Sequence, residues 1–101
     1  MPKKTLGAKE RWLAFGTKPK GKIVVDDGAK KALLNHKSLL SVGIIDSHGA
    51  FGATDIVKIV DRQGNEFARG KVSLASSLIN DIKGRRYDKE VIHSNNIVLL
   101  V

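Results

Sequence analysis

The segment that most constrains this chain is a short β-branched run that ends in two acids. Ile23-Val-Val25 is followed by Asp26-Asp27 and then by Gly28-Ala-Lys-Lys-Ala-Leu-Leu34. Three successive β-branched residues favour a buried strand. A carboxylate placed directly after them can accept from the free N–H groups of a helix start and favours its positive end. Gly28–Asn35 then reads as a short helix. Ala29, Ala32 and Leu33 fall at i, i+3 and i+4 on one face, and Lys30 and Lys31 are expected to point to solvent. A strand that turns at once into a basic helix implies a β-rich module that offers backbone and lysines to a polyanion.

The remaining segments fit that frame. Trp12–Phe15 is a short apolar run, expected as a first strand or a flap. Gly16–Gly21 is a loop, and Val42–Ile45 is expected as a second strand. Ile56–Val60 and Glu66–Ser73 are expected as a hairpin around the Asp61–Asn65 turn, where Gly64 suits a positive φ. Ala75–Ile82 carries a helical apolar stripe at Ala75, Leu78, Ile79 and Ile82, and Gly84 follows as a stop. Val91-Ile92 is a further apolar run, and Ile97–Val101 reads as a closing strand. Five or six short strands with two small helices imply a mostly β, barrel-like fold.

With 101 residues the chain suffices for one domain. It has no cysteine, which excludes disulfides and thiolate zinc sites. No apolar signal core follows the basic N-terminus, and no apolar run approaches the ~20 residues of a membrane span. The expectation is a cytoplasmic chain with no membrane partner. The net charge is +8 and uneven: residues 1–31 hold nine Lys/Arg against three acids, and residues 32–101 hold nine against seven. One-sided basic charge suits a phosphate-binding surface, but it equally suits a solubilising tail or an acidic neighbouring domain.

No catalytic constellation stands out. Gly49-Ala-Phe-Gly52 matches a nucleotide-clamping loop in spacing only, since it lies between strands. The Asp26-Asp27 pair is better explained as a helix cap than as an acid/base or metal pair, because adjacent positions send their side chains apart. His36, His48 and His93 lack partners at ligand spacing and read as surface or turn residues. The lysines are the binding candidates: Lys18, Lys20, Lys22, Lys30, Lys31 and Lys37.

Residues Arg11–Val101 resemble the PUA domain at the C-terminus of bacterial glutamate 5-kinases. The resemblance rests on Arg11-Trp-Leu-Ala-Phe15, Lys18-Pro-Lys-Gly21, Ile23-Val-Val-Asp-Asp-Gly-Ala29, Lys37-Ser-Leu-Leu40, Val42-Gly-Ile44, and Ile92-His93 with Asn96-Ile-Val-Leu-Leu100. It implies a mixed pseudo-barrel of about six strands with two short helices over residues 11–101, preceded by a basic lead-in or linker over residues 1–10. Three places depart from the family pattern. Asn35-His36 stands where a Gly usually precedes Lys-Ser-Leu-Leu, Ser41 stands at a usual Pro, and Ser94-Asn95 stands at a common Arg-Asp pair.

The resemblance implies a non-catalytic RNA-binding or regulatory module. Its parent enzyme would phosphorylate L-glutamate in proline biosynthesis. ATP and Mg²⁺ would belong to an adjacent amino-acid-kinase domain, with no cofactor in this one. Carried over from RNA-binding PUA domains, the groove beside the first helix implies Gly28, Lys30, Lys31, Lys37 and the Leu40–Gly43 loop, Gly43 included. A stand-alone RNA-binding module acting on structured RNA such as tRNA, and an adaptor for a protein partner, are the alternatives.

Overall fold

The computed structural model describes residues 18–100. The expected lead-in over residues 1–10, the expected strand at Trp12–Phe15, and Val101 lie outside them. Strand β1 (Gly21–Val25) leads into helix α1 (Asp27–Leu34), followed by a 3-10 turn at Ser41–Gly43 and β2 (Ile44–His48). Then come β3 (Ile56–Val60), β4 (Glu66–Lys71), helix α2 (Ser76–Ile82), a second 3-10 turn at Ser94–Asn96 and β5 (Ile97–Leu99).

The strands form one mixed sheet in the order β2-β1-β3-β4-β5. β3 is its middle element, and β1 lies next to it, antiparallel to β2 and parallel to β3. The hairpin β3–β4 is antiparallel, with a bulge beside Val60, and β5 closes antiparallel on β4. Among the described residues there are five strands rather than six. Val91-Ile92 makes only an isolated bridge to Leu39, with Leu39 N–H donating to Ile92 O at 2.9 Å and Val91 N–H donating to Leu39 O at 2.8 Å. That bridge ties the segment after α1 to the one before β5, so the sheet curls without closing.

Alternation along the strands sets the two faces. Ile23, Val25, Val57, Ile59 and Ala68 point to one side, where they pack with Leu33, Leu39, Ile44, Phe67 and Ile79. Burying each of the larger side chains contributes about 1.5–3 kcal/mol. Helix α1 enters this core through Leu33, and Asp26 caps it by accepting from Ala29 N–H at 2.7 Å. Asp26 is therefore a helix cap, as its position after the strand implied.

The end of α1 is wrapped by the next residues. His36 N–H donates to Leu33 O and Lys37 N–H to Ala32 O, both at 3.0 Å. His36 sits between these bonds with φ 63°, the left-handed residue of a Schellman motif.

The strand expected at Val42–Ile45 begins later. Residues Ser41–Gly43 form the 3-10 turn, and pairing runs over Ile44–His48. Tertiary contacts cause the shift. Gly43 O accepts from Asp26 N–H at 3.0 Å, Ser41 O accepts from Gly84 N–H at 2.9 Å, and Ser41 Oγ donates to Arg85 O at 2.6 Å. A Cβ on Gly43 would meet the Ala29 Cβ at 2.5 Å, so the turn lies against the first turn of α1.

Candidate functional site

The turn and the helix leave a groove between them, with a volume of about 310 Å³. Asp26, Gly28, Ala29 and Ala32 form the helix side. Ser38, Leu40, Val42 and Gly43 form the turn side. Leu40 and Val42 are 50% and 53% exposed, and Ile45 follows at 46%. These apolar side chains are solvent-facing because the turn is pinned by its backbone and by Ser41 rather than by their burial. Gly28 and Gly43, two of the eight candidates, therefore line one site.

Lys30 does not offer its charge there. Its Nζ donates to Asp61 Oδ2 at 2.8 Å and lies 5.4 Å from the centre of the Phe67 ring. Asp61 is buried, and its other oxygen accepts from Gln63 N–H at 3.0 Å and Asn65 N–H at 2.9 Å. The Lys30 ammonium first, and the Asn65 N–H next, hold the Asp61 carboxyl below the usual carboxylate range. The expectation of a solvent-directed Lys30 is thus corrected: the side chain is half-buried and pins α1 to the turn after β3. Lys31 and Lys37 are exposed.

Lys20 and Lys22 lie elsewhere. They sit at the start of β1, whereas α1 begins beyond its end, and five strand residues separate the two by roughly 13 Å. There Pro19, Lys20, Gly21, Lys22, His48, Gly49 and Lys58 bound a second, shallower cleft of about 300 Å³. Lys18 is exposed beside it, outside the lining. The candidates therefore do not form one surface: Gly28 and Gly43 line the groove, Lys30 is held by Asp61, and Lys20 and Lys22 line the second cleft. Lys58, His48 and Asp61 had not been singled out for binding. The signal for Lys58 is the pattern Ile-Val-Lys-Ile-Val, in which one charged residue interrupts an apolar strand.

Beside the second cleft, Asp46 accepts from Lys83 Nζ at 2.7 Å and lies 3.5 Å from His48 Nε2. Lys83, then the Ser47 N–H, lower the Asp46 carboxyl from its ordinary value. Among the described residues no group of three or more His, Cys, Asp or Glu could hold a metal ion, and no helix is long and apolar enough to cross a membrane.

A mixed sheet in which β1 joins β2 and β3, with a capped helix and a glycine-tight turn at the end of β1, defines the class. The family model for the PUA domain matches residues 21–94, and the chain belongs to that family. Its curated relatives are more particular. The glutamate 5-kinase of Caldanaerobacter subterraneus subsp. tengcongensis is 40% identical across 97% of the chain, and that of Dictyoglomus turgidum is 43% identical across 95%. The chain spans only about 30% of the length of these relatives.

Solved structures agree on the fold. A PUA domain from Aeropyrum pernix K1, crystallised as a tartrate complex, superposes with a TM-score of 0.66 at 25% identity, over 80% of this chain and 46% of that one. The archaeal box H/ACA Nop10–Cbf5 complex superposes with a TM-score of 0.59 at 24% identity, over 71% of this chain and 24% of that one.

Proposed function

We propose that the chain is the C-terminal PUA portion of a glutamate 5-kinase and acts there as a non-catalytic module that modulates the kinase portion. Phosphoryl transfer from ATP to L-glutamate, with its Mg²⁺, would belong to the adjoining amino-acid-kinase domain. One observation carries the modulatory reading. The groove between α1 and the 41–43 turn presents Leu40 and Val42 to solvent, while Lys30 is spent on Asp61. An apolar, shape-defined groove suits a protein partner better than a phosphate backbone.

The test uses the full-length parent enzyme. Leu40→Asp/Val42→Asp is expected to change glutamate-dependent ADP release or its response to effectors by at least about threefold, since charge in an apolar contact disrupts it. The 101-residue chain alone is expected to turn over no ATP with glutamate. Unchanged kinetics in the double variant would rule out the groove as the modulatory contact.

A second reading is RNA binding, favoured by the net charge of +8 and by Lys31 and Lys37, both exposed on the segment around the groove. It predicts salt-dependent, saturable tRNA binding by fluorescence anisotropy, weakened by Lys31→Ala/Lys37→Ala. Lys30 is a poor probe for this purpose, because its removal strands the buried Asp61.

A further inference from the structure

The outer face of the sheet carries a row of bases in register. Lys22 on β1 stands opposite His48 on β2 and opposite Lys58 on β3. Register partners project to the same side of a sheet, so the three heads lie abreast across three strands, about 10 Å from end to end. Lys20 lines the same cleft. All four side chains are exposed, and among the described residues Lys20, Lys22 and Lys58 make no ion pair.

Like charges directly opposite one another weaken a sheet. Elsewhere the molecule sets acids against its bases, as in Lys30–Asp61, Lys83–Asp46 and Arg69–Glu66. The row is bounded by the same device. Its next member, Arg69, stands opposite Lys58 but holds Glu66 at 2.6 Å, and beyond it Val98 is apolar. The nearest acid on the other side, Asp46, is shared between Lys83 and His48.

The backbone is also shaped for the cleft. Gly49 has φ 91°, and a Cβ there would lie 2.9 Å from both Gly21 Cα and Lys20 O. A Cβ on Gly21 would lie 2.5 Å from His48 O. The two glycines let the loop after β2 close on residues 20–21, which brings Lys20 and His48 to one rim.

We propose that this row is a binding site for a compact polyphosphate, either free or carried by a nucleotide. Two ammonium groups on neighbouring strands, about 5 Å apart, with Lys20 on the rim and the His48 imidazole abreast of them, match a di- or triphosphate chain, and the Glu66-paired Arg69 and apolar Val98 stop the track where a longer polyanion would continue. Among the described residues no Phe, Tyr or Trp lines the cleft, which favours the phosphates over a base as what the site grips. The surface is separate from the α1 groove, and its test does not depend on the modulatory reading.

The experiment is titration calorimetry of the 101-residue chain with inorganic tripolyphosphate at low and moderate salt. Saturable one-to-one binding is expected, weakening with salt. Lys22→Thr/Lys58→Thr, which keeps β-forming residues in both strands, is expected to weaken it at least about tenfold. Its thermal midpoint should be no lower than that of the parent chain, because a repulsive pair has been removed. Lys31→Ala/Lys37→Ala should bind as the parent does. ATP and adenosine separate the sources. Equal affinity for ATP and tripolyphosphate with silence from adenosine indicates the phosphate chain alone, and tighter ATP binding indicates a nucleotide. The proposal is overturned if tripolyphosphate does not saturate, or if the folded Lys22/Lys58 variant binds it unchanged. It is equally overturned if a single-stranded RNA oligomer binds through these lysines and tripolyphosphate fails to compete.

Discussion

His36 closes α1 in the left-handed region that glycine occupies without cost. It stands where the family resemblance leads one to expect Gly, and the structure gives the reason: the Leu33 and Ala32 carbonyls are both capped around this residue. A side chain there costs roughly 1–2 kcal/mol in backbone strain, partly offset by the entropy that glycine loses on folding. His36→Gly is therefore expected to raise stability by about 0.5–1 kcal/mol in urea denaturation. A loss of stability would mean that the imidazole makes a compensating contact. Asp61 supplies a pH dependence. Its folded-state ionisation is depressed, so its contribution is fully present above the unfolded carboxyl value of about 3.9. It is lost as pH falls through the lower folded value. The urea midpoint should decline on acidification below about pH 4, and Asp61→Asn should flatten that decline. Asp46 acts in the same direction but is more exposed, so its share should fade with added salt while that of Asp61 persists.

At the scale of elements, the contact between α1 and the 41–43 turn is a tight joint that shapes a site. Gly43→Ala would drive a methyl into the Ala29 Cβ, 2.5 Å away. The expected loss is about 1–3 kcal/mol in thermal or urea unfolding, with Ala29→Gly restoring part of it. This joint also marks where the sequence stops being informative. Ile56–Val60 and the helix after Asp26 were legible because alternation and capping are local. Val42–Ile45 looked like a strand for its apolar run, but Asp26, Gly84 and Arg85, distant in sequence, hold Ser41–Gly43 as a turn. The lysines meet the same limit. Their types were visible, but the partnership of Lys30 with Asp61 and the alignment of Lys22 with Lys58 exist only through β3.

Across the described residues of the molecule, apolar and basic side chains separate into distinct surfaces. An apolar groove lies at one end of β1 and a bare basic row at the other. A single strand, β1, carries both, and it also has a history within each folding event. It precedes all its neighbours in the chain yet pairs only with β2 and β3. Its parallel partner begins more than thirty residues later. Among the described strands β1 pairs only with ones made after it, whereas β3 and β4 can meet across a five-residue turn as soon as both exist. Loop closure over long separations is slow, so the parallel pairing of β1 with β3 waits on a long closure, while the β3–β4 hairpin beside it closes locally.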